Sequence, residues 1–277
     1  MKASVKRNLL LAFFAVSLLV MLVLEFMRDG IVALGEHGEN LYLISTRALG
    51  AFACIVLVLL SRAKKILYAK PTLSATLCFV PCMLIAINNF PFITFFSGRA
   101  YIDASARSVL LYALVCVCVG LFEEMAFRGC VFTAVLQRMG KRPIDVFWSI
   151  AISSAVFGIV HLLNLFAGAG IGSVILQVGY SFLIGGMCSV ILIKTKNIWY
   201  CVLLHAVYNF AGGVVPECGG GEIWDTPTIV LTTIVALVVA AFVIYLLVKI
   251  RPEEVTALLN DTKKSEQNII ENTEKEI

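Results

Sequence analysis

Eight stretches of this chain each run for about 20 mainly apolar residues, and this repetition restricts the fold more than any other feature. They lie at about 8–27, 41–61, 72–89, 108–137, 144–165, 173–194, 198–215 and 228–249. A bilayer core offers no water to backbone N–H and C=O groups, so only helices and closed barrels cross it. No run alternates at period two over the length of a barrel strand, which removes the barrel. The expectation is an all-α fold, a polytopic membrane helical bundle of about eight transmembrane helices. Composition agrees. Sixty per cent of the 277 residues are hydrophobic and 14% are charged, where roughly half and a quarter are usual in soluble domains. A disordered chain, a nucleic-acid binder and an ordinary cytosolic enzyme are excluded. The third run is the weakest, being short and interrupted by Pro81. The first follows Lys2, Lys6 and Arg7 as a signal peptide would. Its apolar core is too long for one, and Glu25-Phe-Met-Arg-Asp-Gly is no small-residue cleavage site, so an uncleaved span is expected.

Basic residues sort the connections into two sides. The N-terminus, the second, fourth and sixth connections and the C-terminal side together hold seventeen of the 22 Lys and Arg residues. Arg28, Arg47, Arg99, Arg107 and Arg128 are the remainder. The seventh connection is acidic, with Glu217, Glu222 and Asp225. This is the positive-inside pattern for a multi-pass protein of the cell membrane with both termini cytoplasmic. An odd number of spans would destroy the alternation. No internal repeat is detectable. One integral-membrane domain is expected over 1–250, followed by a polar cytoplasmic tail over 251–277. Nine cysteines form no compact framework or CxxC set, and eight lie in or beside apolar runs. They read as small apolar residues. Cys218 is the exception, in a polar loop.

Ionisable groups inside a bilayer cost roughly 2.5–3.5 kcal/mol at the helix centre even on insertion scales, so the few present point to function. The fourth run carries Glu123-Glu124-Met-Ala-Phe-Arg128-Gly129 near its middle. Glu124 and Arg128 stand at i,i+4 with the acid first, the favourable order for a helical ion pair. Glu123 points about 100° away. The sequence thus offers one structural pair and one spare carboxylate. His161 ends Phe157-Gly-Ile-Val-His161 in the fifth run, and His205 shares a helix face with Asn209 in the seventh. A lone membrane His is often interhelical glue. Two of them, with an Asn and a spare Glu, weaken that reading. His37, the third His, lies with Glu36 and Glu39 in a short polar loop and reads as surface. Gly168, Gly170, Gly172, Gly185 and Gly186 read as close-packing positions, while Asn164 and Gln177 are polar residues of open role.

A carboxylate and an imidazole held together can activate water for attack on a carbonyl. A second imidazole and a carboxamide on one face can donate to the oxyanion that forms. That constellation hydrolyses amides. GxSxG, Ser-Lys, GxGD and HExxH are all absent. Two His and a Glu could still hold Zn²⁺, and the set would be His161, His205 and Glu123. The set is thin and Asn is a poor zinc ligand, so a metal-free mechanism is favoured.

At these positions the chain resembles the CPBP family of CAAX proteases and bacteriocin-processing enzymes, also called Abi proteins. EExxxR is met by Glu123, Glu124 and Arg128, FxxxH by Phe157 and His161, and HxxxN by His205 and Asn209. The three motifs are in order, within apolar runs, over about residues 115–212. The resemblance implies an intramembrane endopeptidase. It implies Glu123 as the base that activates water with His161 beside it, and His205 with Asn209 as the oxyanion site. Glu124, Arg128 and Phe157 would support the motif structurally. Implied partners are the bilayer and a peptide or lipidated protein substrate within it. On straight helices His161 should lie near the outer end and His205 nearer mid-depth, a mismatch the fold must absorb.

Two other readings compete. A non-catalytic immunity or regulatory protein would keep the same residues for peptide binding. A proton-coupled transporter would show halves with paired broken helices, and none are visible. The sequence carries no signal for oligomeric state.

Overall fold

The computed structural model of the chain describes residues 3–31 and 37–259. Lys2 and most of the expected tail, residues 260–277 with Lys263, Lys264 and Lys275, lie outside them. In chain order the elements are α1 (Ala3–Ile31), α2 (Gly38–Leu60), α3 (Leu73–Asn88), a short α4 (Phe92–Phe96), β1 (Ala100–Ile102) and α5 (Ala106–Glu124). A π-helical segment (Met125–Phe132) carries α5 without a break into α6 (Thr133–Met139). Next come α7 (Pro143–Val160), a 3₁₀ turn (His161–Leu165), α8 (Ile171–Thr195), α9 (Trp199–Cys218), β2 (Gly219–Gly221), α10 (Thr226–Val248) and α11 (Pro252–Leu259).

Among the described residues six helical stretches are long and apolar enough to cross a bilayer: Gly38–Leu60, Ala106–Met139, Pro143–Leu165, Ile171–Thr195, Trp199–Cys218 and Thr226–Val248. The chain is a polytopic helical membrane protein. The apolar part of α1, Ala12–Glu25, and α3 are shorter helices, and α3 carries Pro81 inside it. All-helical architecture therefore holds apart from one pair of three-residue strands. Ala100–Ile102 and Gly219–Gly221 pair antiparallel, with Tyr101 opposite Gly220. Three successive glycines have no side-chain alternation to betray a strand. A Cβ at Gly219 would run into the backbone of Tyr101 and Ile102, so only glycine lets the two segments approach.

Outer faces are as apolar as the interior. Phe52, Leu183 and Val238 are exposed, as helices hydrophobic all round would have them toward lipid. α10 is the extreme case, its buried residues being Thr228, Val239 and Leu246 alone. Inside, α5 packs along α9, α2 lies against α5, and α7 pairs with α8. At Gly120 an added Cβ would stand 3.1 Å from the Ala206 backbone nitrogen, so the α5 and α9 backbones nearly touch there. That crossing is one turn from Glu124 and beside His205.

The two ends of the bundle differ. At the basic end three connections are tied together. Ile198 N–H donates to Ile66 O at 3.0 Å, the Trp199 indole to Leu67 O at 2.8 Å, and Asn197 Nδ2 to Ala69 O at 2.7 Å. Lys194 Nζ reaches Lys249 O and the Glu254 carboxylate, both at 3.0 Å. The tail thus begins as a docked helix, α11, with Val255, Leu258 and Leu259 buried. At the other end the strand pair is clasped by Arg99, which donates to Glu222 at 2.7 Å and to Asp225 at 2.5 Å. Asp225 also caps α10 by accepting from Thr228 N–H at 2.8 Å. Hydrogen bonding from Thr228, with Arg99 beside it, holds the Asp225 carboxyl below its ordinary 3.8, at about 2. Cys218, expected in a polar loop, is the buried last residue of α9. Its neighbours Ala100, Val214 and Val215 form a small apolar cluster under the strands.

Candidate active site

Four ionisable side chains meet where α5 gives way to the π segment and crosses α9. His205 Nδ1 lies 2.7 Å from Glu124 Oε1, and its Nε2 lies 3.3 Å from Glu123 Oε2. The Arg128 guanidinium lies 3.0 Å from Glu124 Oε1. The pairing foreseen between Glu124 and Arg128 is present as an ion pair, although its angles fall outside hydrogen-bond geometry. The carboxylate left over in the sequence is not spare. Glu123 faces His205, and the imidazole spans both glutamates. Two carboxylates thus face one guanidinium and one imidazole, which supply the positive and hydrogen-bonding partners of the quartet. Such pairing is what makes four ionisable groups tolerable inside an apolar core.

The quartet is dry on one side only. Glu124 is 0% exposed, Arg128 2% and His205 6%, whereas the Glu123 side chain is 18% exposed. The cluster is least covered at Glu123. Arg128 is held by its surroundings as much as by charge. Its guanidinium carbon sits 4.3 Å from the centre of the Phe157 ring, a cation–π contact. A Cβ at Gly185 would stand 2.9 Å from Arg128 Nη2 and 3.1 Å from Ser154 Oγ. Gly185 of α8 thus leaves the room in which the long side chain lies. The eight-residue π segment, a rare geometry concentrated at functional sites, carries Arg128 itself.

His161 opens the 3₁₀ turn after α7 and is half-buried. Its ring stands edge-on to Phe157 with centroids 5.1 Å apart, and Phe157 stands 5.9 Å from His205. The Phe157 ring thus lies between the two imidazoles, one helical turn before His161. No hydrogen bond or ion pair joins His161 to Glu123 among the described residues, but the charges of Glu123, His205 and Arg128 all act on it. Asn209 is half-buried one turn beyond His205, and its backbone carbonyl accepts from the Tyr112 hydroxyl at 3.4 Å. Asn164 and Gln177 are bonded to each other, Nδ2 to Oε1 at 2.7 Å. His37 precedes α2 as its N-terminal flanking residue.

Three features were not read from the sequence. Gly120 sets the helix crossing, Ser154 lies buried against the Arg128 pocket, and Tyr180 stacks near Tyr208 at 5.9 Å within range of the Glu123 charge. Metal donors also gather differently from the sequence set. His161, His205 and Glu123 do not converge, whereas Glu124, Cys188 and Cys201 bring their ligand atoms within 4.8 Å of one another. A signal for this existed, since Cys201 and His205 are i,i+4 on one helix face.

A partly exposed carboxylate, backed by an imidazole that a second, buried carboxylate orients, has the parts of a water-activating base. Residues 105–211 match the family model of the type II CAAX prenyl endopeptidases, described as Rce1-like. The matched segment spans α5 to α9 almost entirely and contains every member of the site. No curated protein and no solved structure matches the chain. At the level of the family, the match supports an intramembrane endopeptidase.

Proposed function

We propose that this protein is a metal-independent intramembrane endopeptidase. In this reading Glu123 takes a proton from water as the water oxygen attacks the carbonyl carbon of a peptide bond. Glu123 is the least buried member of the quartet, its side chain 18% exposed beside His205, and that observation carries the reading. Glu124 fixes His205 through Nδ1, as an orienting acid does in hydrolytic triads. Once Glu123 is protonated its hold on His205 Nε2 weakens, and the Nε2 proton turns to the developing oxyanion together with the Asn209 carboxamide. Glu123 then returns its proton to the leaving nitrogen. The carbon–nitrogen bond breaks to give one new carboxyl and one new amine. His161 stands over the Phe157 ring at the edge of the cluster and positions the substrate.

The proposed substrate is a membrane-associated peptide or a lipidated protein. The proposed topology has eight spans and both termini in the cytoplasm, the two shorter helices α1 and α3 included. Tying of the basic connections at one end and of the acidic clasp at the other supports it.

The test is cleavage of a quenched peptide library by purified protein in lipid, comparing wild type with Glu123→Ala, each with and without a zinc chelator. Cutting by wild type that is lost in the variant and insensitive to chelator is expected. Cutting that survives Glu123→Ala would remove the role assigned to that residue.

A further inference from the structure

Two buried thiols stand against the dry side of the quartet. Cys188 of α8 and Cys201 of α9 are each 0% exposed, as is Glu124 at the end of α5. The Cys201 thiol donates to the Cys188 backbone carbonyl at 3.2 Å. Glu124 uses one oxygen for both His205 and Arg128, and its other oxygen, Oε2, is buried with no hydrogen-bond partner. A buried carboxylate oxygen left without a partner is expensive, and it asks for a cation or a donor. The two sulfurs and a Glu124 oxygen lie within 4.8 Å of one another, so one ion could contact all three.

We propose that Glu124, Cys188 and Cys201 form a binding site for a divalent d¹⁰ cation of the zinc class, which staples α5, α8 and α9 together. Thiolate sulfur with carboxylate oxygen suits a borderline-soft ion and disfavours Mg²⁺ or Ca²⁺, which take oxygen ligands. Binding exchanges the two thiol protons for the dication. With the Glu124 carboxylate the centre then bears one net negative charge, beside the Arg128 guanidinium that already acts on Cys201. All three protein ligands are 0% exposed, so the ion would lie out of reach of substrate even with its fourth position unfilled by these residues. The site shares Glu124 with the proposed water-activating cluster, but binding of the ion does not depend on that cluster's cleaving a peptide.

A second thiol pair serves as a control. Cys130 donates to the Cys54 carbonyl at 3.9 Å, and no carboxylate joins that pair in a ligand group among the described residues. The test is the metal content, by mass spectrometry, of full-length protein made in zinc-supplemented medium and purified in detergent through a tag free of histidine. One zinc ion per chain is expected in wild type and in Cys54→Ser, with at least a tenfold loss in Cys188→Ser/Cys201→Ser. Wild type without bound zinc, or the double variant with undiminished zinc, overturns the site. If the double variant does not fold, wild type grown with cadmium decides. Thiolate-to-cadmium absorption in the ultraviolet supports the staple, and its absence overturns it. Neither readout requires cleavage, so failure here is distinguishable from failure of the protease reading.

Discussion

Two of the clusters of paired charge among the described residues differ in nearly everything but chemistry. One is the clasp at the acidic end, where Arg99 joins Glu222 and Asp225 across the short strand pair. Its Arg99 and Glu222 side chains are 44% and 49% exposed. The other is the quartet of Glu123, Glu124, Arg128 and His205, sunk between α5, α8 and α9. Solvent screens the Arg99–Glu222 pair, which contributes little, as exposed ion pairs generally do, while the Asp225 side chain of the other pair is only 7% exposed. Nothing screens the quartet, so each member depends on the others for its charge to be tolerated. A chain folding only for stability would do better with packed hydrophobic residues at that depth. Four ionisable groups at that depth argue for chemistry, and Glu123 is the member least covered by the fold.

Substitutions that separate charge from shape sharpen this contrast. Glu123→Gln keeps size and polarity and removes the base. It should lower kcat/KM for a cleaved peptide by about 10²–10⁴, the range for losing general acid–base catalysis. Glu222→Gln should leave the rate unchanged. Equal rates for Glu123→Gln and wild type would reduce the quartet to a structural network. Glu124→Ala should act on folding as well, because Arg128 and His205 lose the carboxylate they share. Removing one partner of a buried ionic group costs about 3–5 kcal/mol, and denaturant unfolding in detergent would read it. Arg99→Ala, made for comparison, should leave the transition close to that of wild type.

The next effect is geometric. Gly120→Leu forces a side chain into the place where the α5 and α9 backbones meet, with Ala206 N only 3.1 Å from a Cβ. Overpacking of this kind costs about 1–3 kcal/mol. It should also slow cleavage by drawing His205 away from the glutamates, with kcat falling more than KM rises. Unchanged kcat would mean that the crossing does not position the site.

This residue also marks the limit of what could be read in one dimension. Helical spans were legible because hydropathy sums over about 20 residues and tolerates local error. The Glu124–Arg128 pair was legible because its spacing is local. Which imidazole meets Glu123 was not legible, since that depends on a crossing made possible by a glycine with no chemical signature of its own. The aromatic seat of Arg128 on Phe157 joins residues on two different helices, and spacing says nothing of it. The thiols went unread for a related reason. Cys201 lies one turn from His205 in the sequence, but Cys188 reaches it only through the α8–α9 packing.

The smallest expected effect belongs to the clasp and is a matter of pH. Asp225 has a folded value of about 2 against an ordinary 3.8. Its carboxylate is therefore favoured in the folded state. That contribution is fully present above the ordinary value and is lost as pH falls from about 3.8 toward 2. Asp225→Asn cannot ionise, so its melting temperature should fall less steeply than that of wild type through this interval, with the two converging at the acid end. The cap on α10 survives in part, because an Asn side-chain oxygen can still accept from Thr228 N–H. Parallel curves from pH 5 to pH 2 would mean that the clasp is not ionically coupled to folding. A difference as large as that of Glu124→Ala would erase the distinction between a screened and an unscreened cluster on which the comparison rests.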